Sequence, residues 1–411
     1  TLINQITIPE SVEQLGSQIF DNCRNLQKVI FPENSQLKTI DVNCFIYSFI
    51  REISIPKHVK CIKNGTFSFC SNLVKVEFDK DSELVSIEAR AFYNSAIQQL
   101  ILPKGIKELK EEWCSKTAKL NFISIPDDNE YFKSYNNQVL FGKSSKESGY
   151  DIIYFVSRSI EKFELPIEIP KLNSYSFEHC RKIDTIEFPE NTKLEIIDRY
   201  SFSYSSIKSI TIPKSVKIIN DDAFFECFNI EEFEFEEDSR LNELGKYAFA
   251  HSTIKNIRLP KDIETIEERT FSNCHQLERI EFCEESKLNK IRKNSFSNST
   301  IRKINFPKSI STLEEGWCRF TPNLTEIELS RENKNFIVYN HEILIGKRTE
   351  NEDNFDEIYF ANRNIKEVFI PSTIKRINSF AFSDCKSIQK VEFGEGSELV
   401  EIGKGSFSYS S

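Results

Sequence analysis

Residues 210–216 read Ile-Thr-Ile-Pro-Lys-Ser-Val. The pattern in this stretch, two apolar residues around one variable position and often a following Pro, recurs along the whole chain. The first apolar residue of each copy stands at position 6, 29, 53, 76, 100, 123, 163, 186, 210, 233, 257, 280, 304, 327, 368 or 391. The intervals alternate between 23 and 24 residues, except for two of 40 and 41 residues. Recurrence at such a period is typical of a repeat protein.

Because the intervals alternate, the full repeating unit is a pair of repeats that is 47 residues long. One member of the pair reads like residues 210–216, and the other reads Phe-x-Glu-x-Ser-x-Leu, as at residues 235–241. A small residue and a Phe follow in each, as at Ala223-Phe224. A repeat of this length cannot bury its apolar side alone, but stacked neighbours bury it as a continuous spine. We therefore predict a β-rich solenoid with one short strand per repeat, or rung.

Two long repeats, near residues 123–162 and 327–367, resemble each other. Trp113-Cys114 before the first matches Trp317-Cys318 before the second, which indicates an internal duplication of about 204 residues. The β-rich runs at 138–141 and 152–156 predict a hairpin in the first long repeat. Such an insertion belongs either to a binding surface or to a tolerated loop. Residues 1–411 are thus expected to form a single solenoid, and the absence of Met suggests a segment of a longer protein.

Charge and hydropathy exclude two classes of protein. The chain has 54 Lys and Arg against 63 Asp and Glu, a net charge of −9, which disfavours a nucleic-acid binder. Its longest apolar runs, such as residues 152–156, are far shorter than the roughly 20 residues that a bilayer requires. We expect no membrane insertion within these residues.

The rung motif resembles that of a known family. The spacing Leu26-x-x-Val29-x-Phe31-x-x-Asn34 is similar to a leucine-rich repeat, whose period is about 20–29 residues. The Pro after the strand, the Ala-Phe-x-x-Cys motif and the 23/24 alternation resemble the BspA-like branch, with Treponema-type repeats, which comprises surface antigens of bacteria and protists.

That resemblance implies a leucine-rich-repeat right-handed superhelix acting as a non-catalytic binding module at the cell surface or secreted. Its partners would be host or neighbouring-cell proteins, such as extracellular matrix. An intracellular scaffold, or a passive spacer for another domain, remains the alternative, because a fold does not fix a function.

Eleven Cys raise the question of disulfides. Six occupy the same position of the rung: Cys23, Cys70, Cys180, Cys227, Cys274 and Cys385. Stacked two rungs apart, they would lie about 10 Å from one another, beyond the roughly 7 Å Cα separation that a disulfide spans. We predict buried thiols beside the spine, which favour a reducing compartment weakly.

Motifs for catalysis, metals and cofactors fail on inspection. There is no Cys-x-x-Cys, and the five His are scattered. Asp79 begins a calcium-loop pattern, but Leu84 and Arg90 stand where Gly and Glu are required. We predict no enzyme, no metal, no cofactor and no small-molecule substrate. The sequons at Asn64, Asn298 and Asn323 permit glycosylation without demonstrating it.

Outward strand positions are the expected binding surface of such an array. Most are polar, but four are apolar: Ile30, Ile101, Phe122 and Phe369. Ile101 and Phe122 lie one rung apart, so we expect them to be close and to act as anchors. Glu232 and Glu234 belong to a concentration of negative charge that either steers a basic partner or is a solvated face.

The two Trp interrupt the Phe pattern. Trp113 and Trp317 are each followed by Cys where Phe usually stands. We predict that each packs into the spine before its long repeat, and the alternative is an exposed anchor for a partner.

Overall fold

The computed structural model describes residues 2–348 and 354–410, and every regular element in these ranges is a β-strand. The chain forms two compact units. The first unit comprises Thr1–Lys193 and Tyr200–Ser206, and the second comprises Leu194–Arg199 and Ile207–Ser411.

The strands of the first unit are β1 (Gln5–Thr7), β2 (Gln14–Leu15), β3 (Lys28–Ile30), β4 (Thr39–Ile40), β5 (Glu52–Ile55), β6 (Cys61–Ile62), β7 (Lys75–Phe78), β8 (Ser86–Ile87), β9 (Gln99–Ile101), β10 (Glu108–Leu109), β11 (Phe122–Ser124), β12 (Phe132–Tyr135), β13 (Val139–Gly142), β14 (Ile152–Val156), β15 (Phe163–Glu164), β16 (Lys171–Leu172) and β17 (Ile186–Glu187).

The strands of the second unit are β18 (Ile196–Ile197), β19 (Ser209–Ile212), β20 (Ile218–Ile219), β21 (Glu232–Phe235), β22 (Glu243–Leu244), β23 (Asn256–Leu259), β24 (Thr265–Ile266), β25 (Arg279–Phe282), β26 (Lys290–Ile291), β27 (Lys303–Phe306), β28 (Thr312–Leu313), β29 (Glu326–Leu329), β30 (Phe336–Tyr339), β31 (Ile343–Gly346), β32 (Glu357–Ala361), β33 (Glu367–Ile370), β34 (Arg376–Ile377), β35 (Lys390–Phe393) and β36 (Glu401–Ile402).

Each ordinary rung supplies two parallel strands. In the first unit the longer strands pair in the order β1-β3-β5-β7-β9-β11, and the two-residue strands pair in the order β10-β8-β6-β4-β2. The pairing is in register, with Ile6 beside Val29 and Ile53 beside Val76. The second unit repeats this arrangement in the sheets β23-β25-β27-β29 and β24-β26-β28. The predicted solenoid is confirmed, and its rungs carry a second short strand beyond the one predicted.

A stack of phenylalanine rings forms the spine. In the first unit Phe67 lies between Phe45 and Phe92, with ring centroids 5.5 Å apart on both sides and ring planes within 11° of parallel. In the second unit Phe271 lies in the same way between its neighbours on the adjacent rungs, at 5.4 and 5.5 Å. All of these rings are fully buried. Offset stacks at this separation stabilise a core beyond the area that they bury.

Left-handed backbone residues place each spine ring at the centre of a tight turn. Two residues before and two residues after Phe67 stand Gly65, with φ of 63°, and Phe69, with φ of 58°. Arg90 and Asn94 flank Phe92 in the same conformation. A Cβ on Gly65 would lie 2.0 Å from the Asn43 side-chain oxygen, so a larger residue there would have to displace the Asn43 side chain.

Both Trp lie in the spine, as predicted. Trp113 contacts Phe92 and Phe155, each with a centroid separation of 6.4 Å. Trp317 contacts Phe296, before the second long repeat, and Phe360, within it, each with a centroid separation of 6.3 Å. Each indole bridges the interruption that a long repeat makes in the phenylalanine stack, so neither is an exposed anchor.

The predicted buried thiols are confirmed with one exception, because Cys23 is only half-buried. Cys70 and Cys274 are free, and each donates to the carbonyl oxygen of the spine Phe on the preceding rung at 3.1 Å. The Sγ of Cys70 also lies 3.5 Å from the hydroxyl of Ser48, one rung earlier. Ser48 and Cys70 each stand three residues after a spine Phe, so Ser and Cys occupy the same buried column on successive rungs.

The long repeats hold an antiparallel meander. In the first unit β13 pairs with β14, close to the predicted runs. β12, which the sequence analysis did not predict, pairs with β13 through the tight turn at Asn136 and Asn137, whose φ angles are 49° and 54°. Two consecutive left-handed residues match the hairpin turn type that follows strand twist. β30, β31 and β32 form the same meander in the second unit.

Candidate binding surface on the strand face

Outward side chains of the longer strands form two rows in the first unit, and we call this surface the strand face. The register gives the first row in this order: Gln5, Lys28, Glu52, Lys75, Gln99 and Phe122. The second row, two residues further along each strand, comprises Thr7, Ile30, Ser54, Glu77, Ile101 and Ser124. Charged residues lie on β3, β5 and β7, whereas β9 and β11 carry none.

The neutral patch, as we call Gln99, Ile101, Phe122 and Ser124, covers the outward positions of β9 and β11. Ile101 is 59% exposed and Phe122 is half-buried. These two residues were predicted to be close, and the register refines that expectation. Phe122 pairs with Gln99, and Ile101 pairs with Ser124, so the two apolar side chains are diagonal neighbours across one pleat. Diagonal neighbours lie about 7–8 Å apart, within reach of one partner residue.

The long repeat brings a further aromatic side chain to the border of the patch. Tyr135, at the end of β12, is 59% exposed. The segment that carries Tyr135 lies beside β11. The Ile123 N–H donates to the Asn137 carbonyl at 2.9 Å, and the Ile125 N–H donates to the Ser134 hydroxyl at 3.3 Å. Tyr135 was not predicted as a binding residue, although its equivalent in the second long repeat, Tyr339, was a signal for it.

Two grooves meet at Ile101. One has a volume of about 1030 Å³ and is also lined by Phe31, Glu77 and Phe78. The other has a volume of about 1080 Å³ and extends from Phe78 towards Tyr131. Ile101 is the exposed aliphatic residue that lines both, so it stands where a partner would be contacted from two sides.

The ions next to the patch are paired with each other. The ammonium of Lys75 lies 2.5 Å from a carboxylate oxygen of Glu77, and this hydrogen bond raises the pKa of Lys75 and lowers that of Glu77. Ser54 also donates to Glu77 at 3.2 Å. Strong solvation of these exposed charges makes them a polar rim rather than a source of affinity.

The second unit places charges at the positions equivalent to the patch. Three of the four are charged: Lys303 stands for Gln99, Glu326 for Phe122 and Glu328 for Ser124, while the uncharged Asn305 stands for Ile101, and the register is the same. The Lys303 ammonium contacts Glu326 at 2.7 Å and Glu328 at 2.8 Å. The same pairing of strands therefore carries a neutral surface in the first unit and an ion-paired surface in the second.

The other predicted residues lie apart from the patch. Ile30 is half-buried on β3, in the same row as Ile101 but with β5 and β7 between them. Phe369 is 50% exposed on β33 and pairs with Glu392, so a charge adjoins it.

The predicted acidic residues lie on β21 of the second unit. Glu232 and Glu234 are exposed, and Glu232 accepts from the Ser209 hydroxyl at 3.2 Å. β23 packs beside β21 and carries Arg258. Arg258 and Lys261 also line the adjoining groove of about 700 Å³, so cations are interleaved with the acidic side chains.

A clamp holds the backbone that leads into β11. The Ser157 hydroxyl donates to the Asn121 carbonyl at 2.9 Å, and the Arg158 N–H donates to the Leu120 carbonyl at 3.1 Å. The guanidinium of Arg158 is buried, donates to the Ser176 carbonyl at 3.2 Å and lies 4.6 Å from the centre of the Phe155 ring.

The second unit contains an equivalent buried arginine. Arg363 donates to the Ala381 carbonyl at 2.9 Å, and its guanidinium lies 4.6 Å from the centre of the Phe360 ring. The sequence analysis did not single out either arginine, although comparison of the two long repeats shows both.

The described residues offer no cluster for metal chemistry: no group of three or more His, Cys, Asp or Glu side chains is placed to hold an ion in residues 2–348 and 354–410. In the same ranges, no helix has the length and hydropathy that crossing a bilayer requires. The described surface of the first unit consists of the strand face with its neutral patch and the adjoining grooves.

Comparison with known structures shows the same fold in bacterial proteins. The pneumococcal vaccine antigen PcpA is 22% identical over 80% of this chain and 79% of its own, with a TM-score of 0.60. A leucine-rich repeat protein from Eubacterium ventriosum is 16% identical over 82% and 87%, with a TM-score of 0.61. One from Bacteroides ovatus is 18% identical over 95% and 92%, with a TM-score of 0.52.

None of the curated proteins compared with the chain matches it. The family model described as the BspA type leucine-rich repeat region matches in six copies, over residues 1–121, 38–147, 151–240, 195–325 and 353–411. The chain therefore belongs to the BspA-type leucine-rich repeat family.

Proposed function

We propose that the chain is a non-catalytic protein-binding module of a cell-surface antigen or adhesin, and that it contacts a host or neighbouring-cell protein through the neutral patch of the first unit. The observation that carries the proposal is Ile101, an exposed aliphatic side chain at the meeting of two grooves. Exposed apolar groups rimmed by polar residues are the usual anchors of protein interfaces.

The partner's chemistry follows from that of the patch. Ile101 and Phe122 favour an apolar or aromatic side chain, while the amide of Gln99 and the hydroxyl of Ser124 favour polar groups without charge. A buried charge facing this patch would lose its hydration without gaining a counter-ion. We therefore expect a folded protein that inserts an apolar residue between the grooves and leaves its charges at the rim.

Surface localisation is supported by family membership and by the description of the similar protein PcpA as a vaccine antigen. Antibody labelling of intact source cells, with permeabilised cells as the control, tests it. Labelling of intact cells is the expected result. A signal that arises only after permeabilisation overturns the surface assignment.

Binding is tested with the purified protein against intact host cells and against purified laminin, fibronectin and collagen. The informative variant is Ile101→Asn with Phe122→Glu, since it gives the first unit the residues that the second unit holds at these positions. We expect this variant to weaken binding at least about tenfold, the effect of losing one interface anchor.

The matched control is the reciprocal exchange, Asn305→Ile with Glu326→Phe, which we expect to leave binding unchanged. Circular dichroism of each variant establishes that it is folded. Failure of the folded wild-type protein to bind any of these probes would contradict the proposed function. Equal binding by the wild-type protein and the first-unit variant would contradict the patch.

A further inference from the structure

One acidic side chain lies almost completely inside the first unit. Glu178 is 1% exposed, in the turn that follows the first long repeat. Its carboxylate accepts from the Lys116 backbone N–H at 2.7 Å and from the Ser115 hydroxyl at 3.4 Å. These bonds join two turns that are more than sixty residues apart in sequence and that lie on either side of the meander. Glu178 is therefore a tie across the long repeat.

Hydrogen bonds satisfy this carboxylate only in part. No ion pair to Glu178 or Arg158 is found within 4.0 Å in the part of the chain that the structure describes. The guanidinium of Arg158 is directed instead at backbone carbonyls and at Cys180. The two hydrogen bonds and the charge of Arg158 favour the charged carboxylate, but burial removes its hydration and outweighs them, so the neutral form is favoured up to near neutral pH.

Other titratable groups surround the two turns that Glu178 joins. Those that act on this turn and on the turn at 112–117 are Tyr93, Glu112, Lys116, Arg158, Tyr175, His179, Arg181, Tyr200, Tyr204, Cys114 and Cys180. Tyr175 donates its hydroxyl to Glu112 at 2.8 Å, and Glu112 also accepts from Arg90 at 2.7 Å. Lys116 lies over the Tyr93 ring at 5.3 Å.

We propose that Glu178 is a proton-linked latch of the first unit: its neutral carboxyl closes the contact between the turn at 112–117 and the turn at 175–180, and loss of the proton near neutral pH destabilises that unit. Burial, opposed by Arg158, raises the pKa of Glu178 from 4.5 to about 7. The folded state then binds the proton more tightly than the unfolded state, so stability is lost as pH rises through this window.

His179 contributes with the opposite sign. Burial, followed by the charges of Arg158 and Arg181, lowers its pKa from 6.5 to about 3. Its contribution to stability therefore increases as pH rises towards 6.5 and offsets part of the Glu178 contribution in the wild-type protein. The test must therefore compare two proteins that both contain His179, the wild type and Glu178→Gln. Glutamine cannot lose a proton in this range, and its side-chain oxygen can still accept a hydrogen bond.

The two units carry one tryptophan each, which gives each its own reporter. In a Trp317→Phe background, urea unfolding followed by tryptophan fluorescence reports on Trp113 in the first unit. In a Trp113→Phe background it reports on Trp317. Ser383 stands two residues before Cys385, as Glu178 stands two residues before Cys180. The second unit therefore has no carboxyl at the position of Glu178, although Asp384 is buried next to it, and it serves as the internal control.

The unfolding equilibrium constant of the first unit is measured for the wild type and divided by that of Glu178→Gln at each pH. We expect this ratio to increase by roughly two powers of ten between about pH 4.5 and pH 8. The Trp317 reporter should show no such change. A ratio independent of pH at Trp113, or an equal change at both reporters, overturns the latch.

A second measurement keeps the inference testable if Glu178→Gln does not fold. The infrared carbonyl band of a protonated carboxyl in the wild-type protein should be present at about pH 6 and disappear by about pH 8, well above the range of ordinary carboxyls. Its absence at about pH 6 contradicts the proposal. Neither measurement involves a binding partner, so the outcome is separate from that of the proposed function.

Discussion

Truncation of the spine residue Phe67 to alanine is expected to lower the free energy of unfolding of the first unit, by an amount that follows from its burial and ring contacts. Phe67 is fully buried and stacks on Phe45 and Phe92, so Phe67→Ala loses the transfer free energy of a benzyl group and two ring contacts. Such truncations cost about 3–5 kcal/mol, and the rigid rings on either side limit collapse of the cavity. We expect a value in the upper part of this range.

Urea unfolding of the Trp317→Phe protein, followed at Trp113, measures this loss. For a dependence of about 3 kcal/mol per molar urea, the midpoint should fall by roughly 1–2 M. The matched control is Phe69→Ala in the same turn, since Phe69 is only half-buried and should cost less than about 1.5 kcal/mol. Equal losses from the two variants, or a loss below about 1 kcal/mol for Phe67→Ala, would refute the spine as the main source of stability.

Two further outcomes are expected. Burial raises the pKa of the thiols of Cys70 and Cys274 to about 12. In the native protein at about pH 8, a disulfide reagent should therefore modify the half-buried Cys23, Cys61 and Cys283 before these two, which should react only on unfolding. Rapid modification of Cys70 in the native protein would contradict the packing. Gly245→Ala should lower the free energy of unfolding by at least about 2 kcal/mol, because the added Cβ would lie 2.3 Å from the Asp221 backbone nitrogen. The control is Gly149→Ala, whose Cβ would have no heavy atom within 4 Å and should change the free energy of unfolding by less than about 0.5 kcal/mol. Thermal melts of the two variants measure both values.

Periodicity predicted the parts of the fold that depend on neighbouring rungs. The longer strands, the phenylalanine spine, the place of Trp113 and the buried column of Cys all follow from a repeat of 23 or 24 residues, because each rung packs on a copy of itself. The second short strand of each rung was not predicted. β12 was missed because its short polar turn lies inside a long repeat that has no adjacent copy to compare with.

The candidate site was predicted in part. Ile101 and Phe122 were identified as apolar residues at outward positions, but their diagonal placement depends on register, which fixes which residues face each other across the strands. Glu178 was not identified, because its partners Ser115 and Lys116 are separated from it by the whole meander. Contacts of this kind are set by tertiary structure and leave no periodic signal.

The left-handed residues that flank each spine ring are restricted in backbone conformation but varied in side chain. In the described turns these positions hold Asn, Asp, Gln, Glu, Lys, Arg, His, Tyr, Phe or Gly, and never Val, Ile or Thr, whose branched Cβ is strained at positive φ. Charge, size and aromaticity can therefore be exchanged at the turns while the rungs stay in step. Substitution at these positions can change the side chains of the turns while the stacked rings keep their packing.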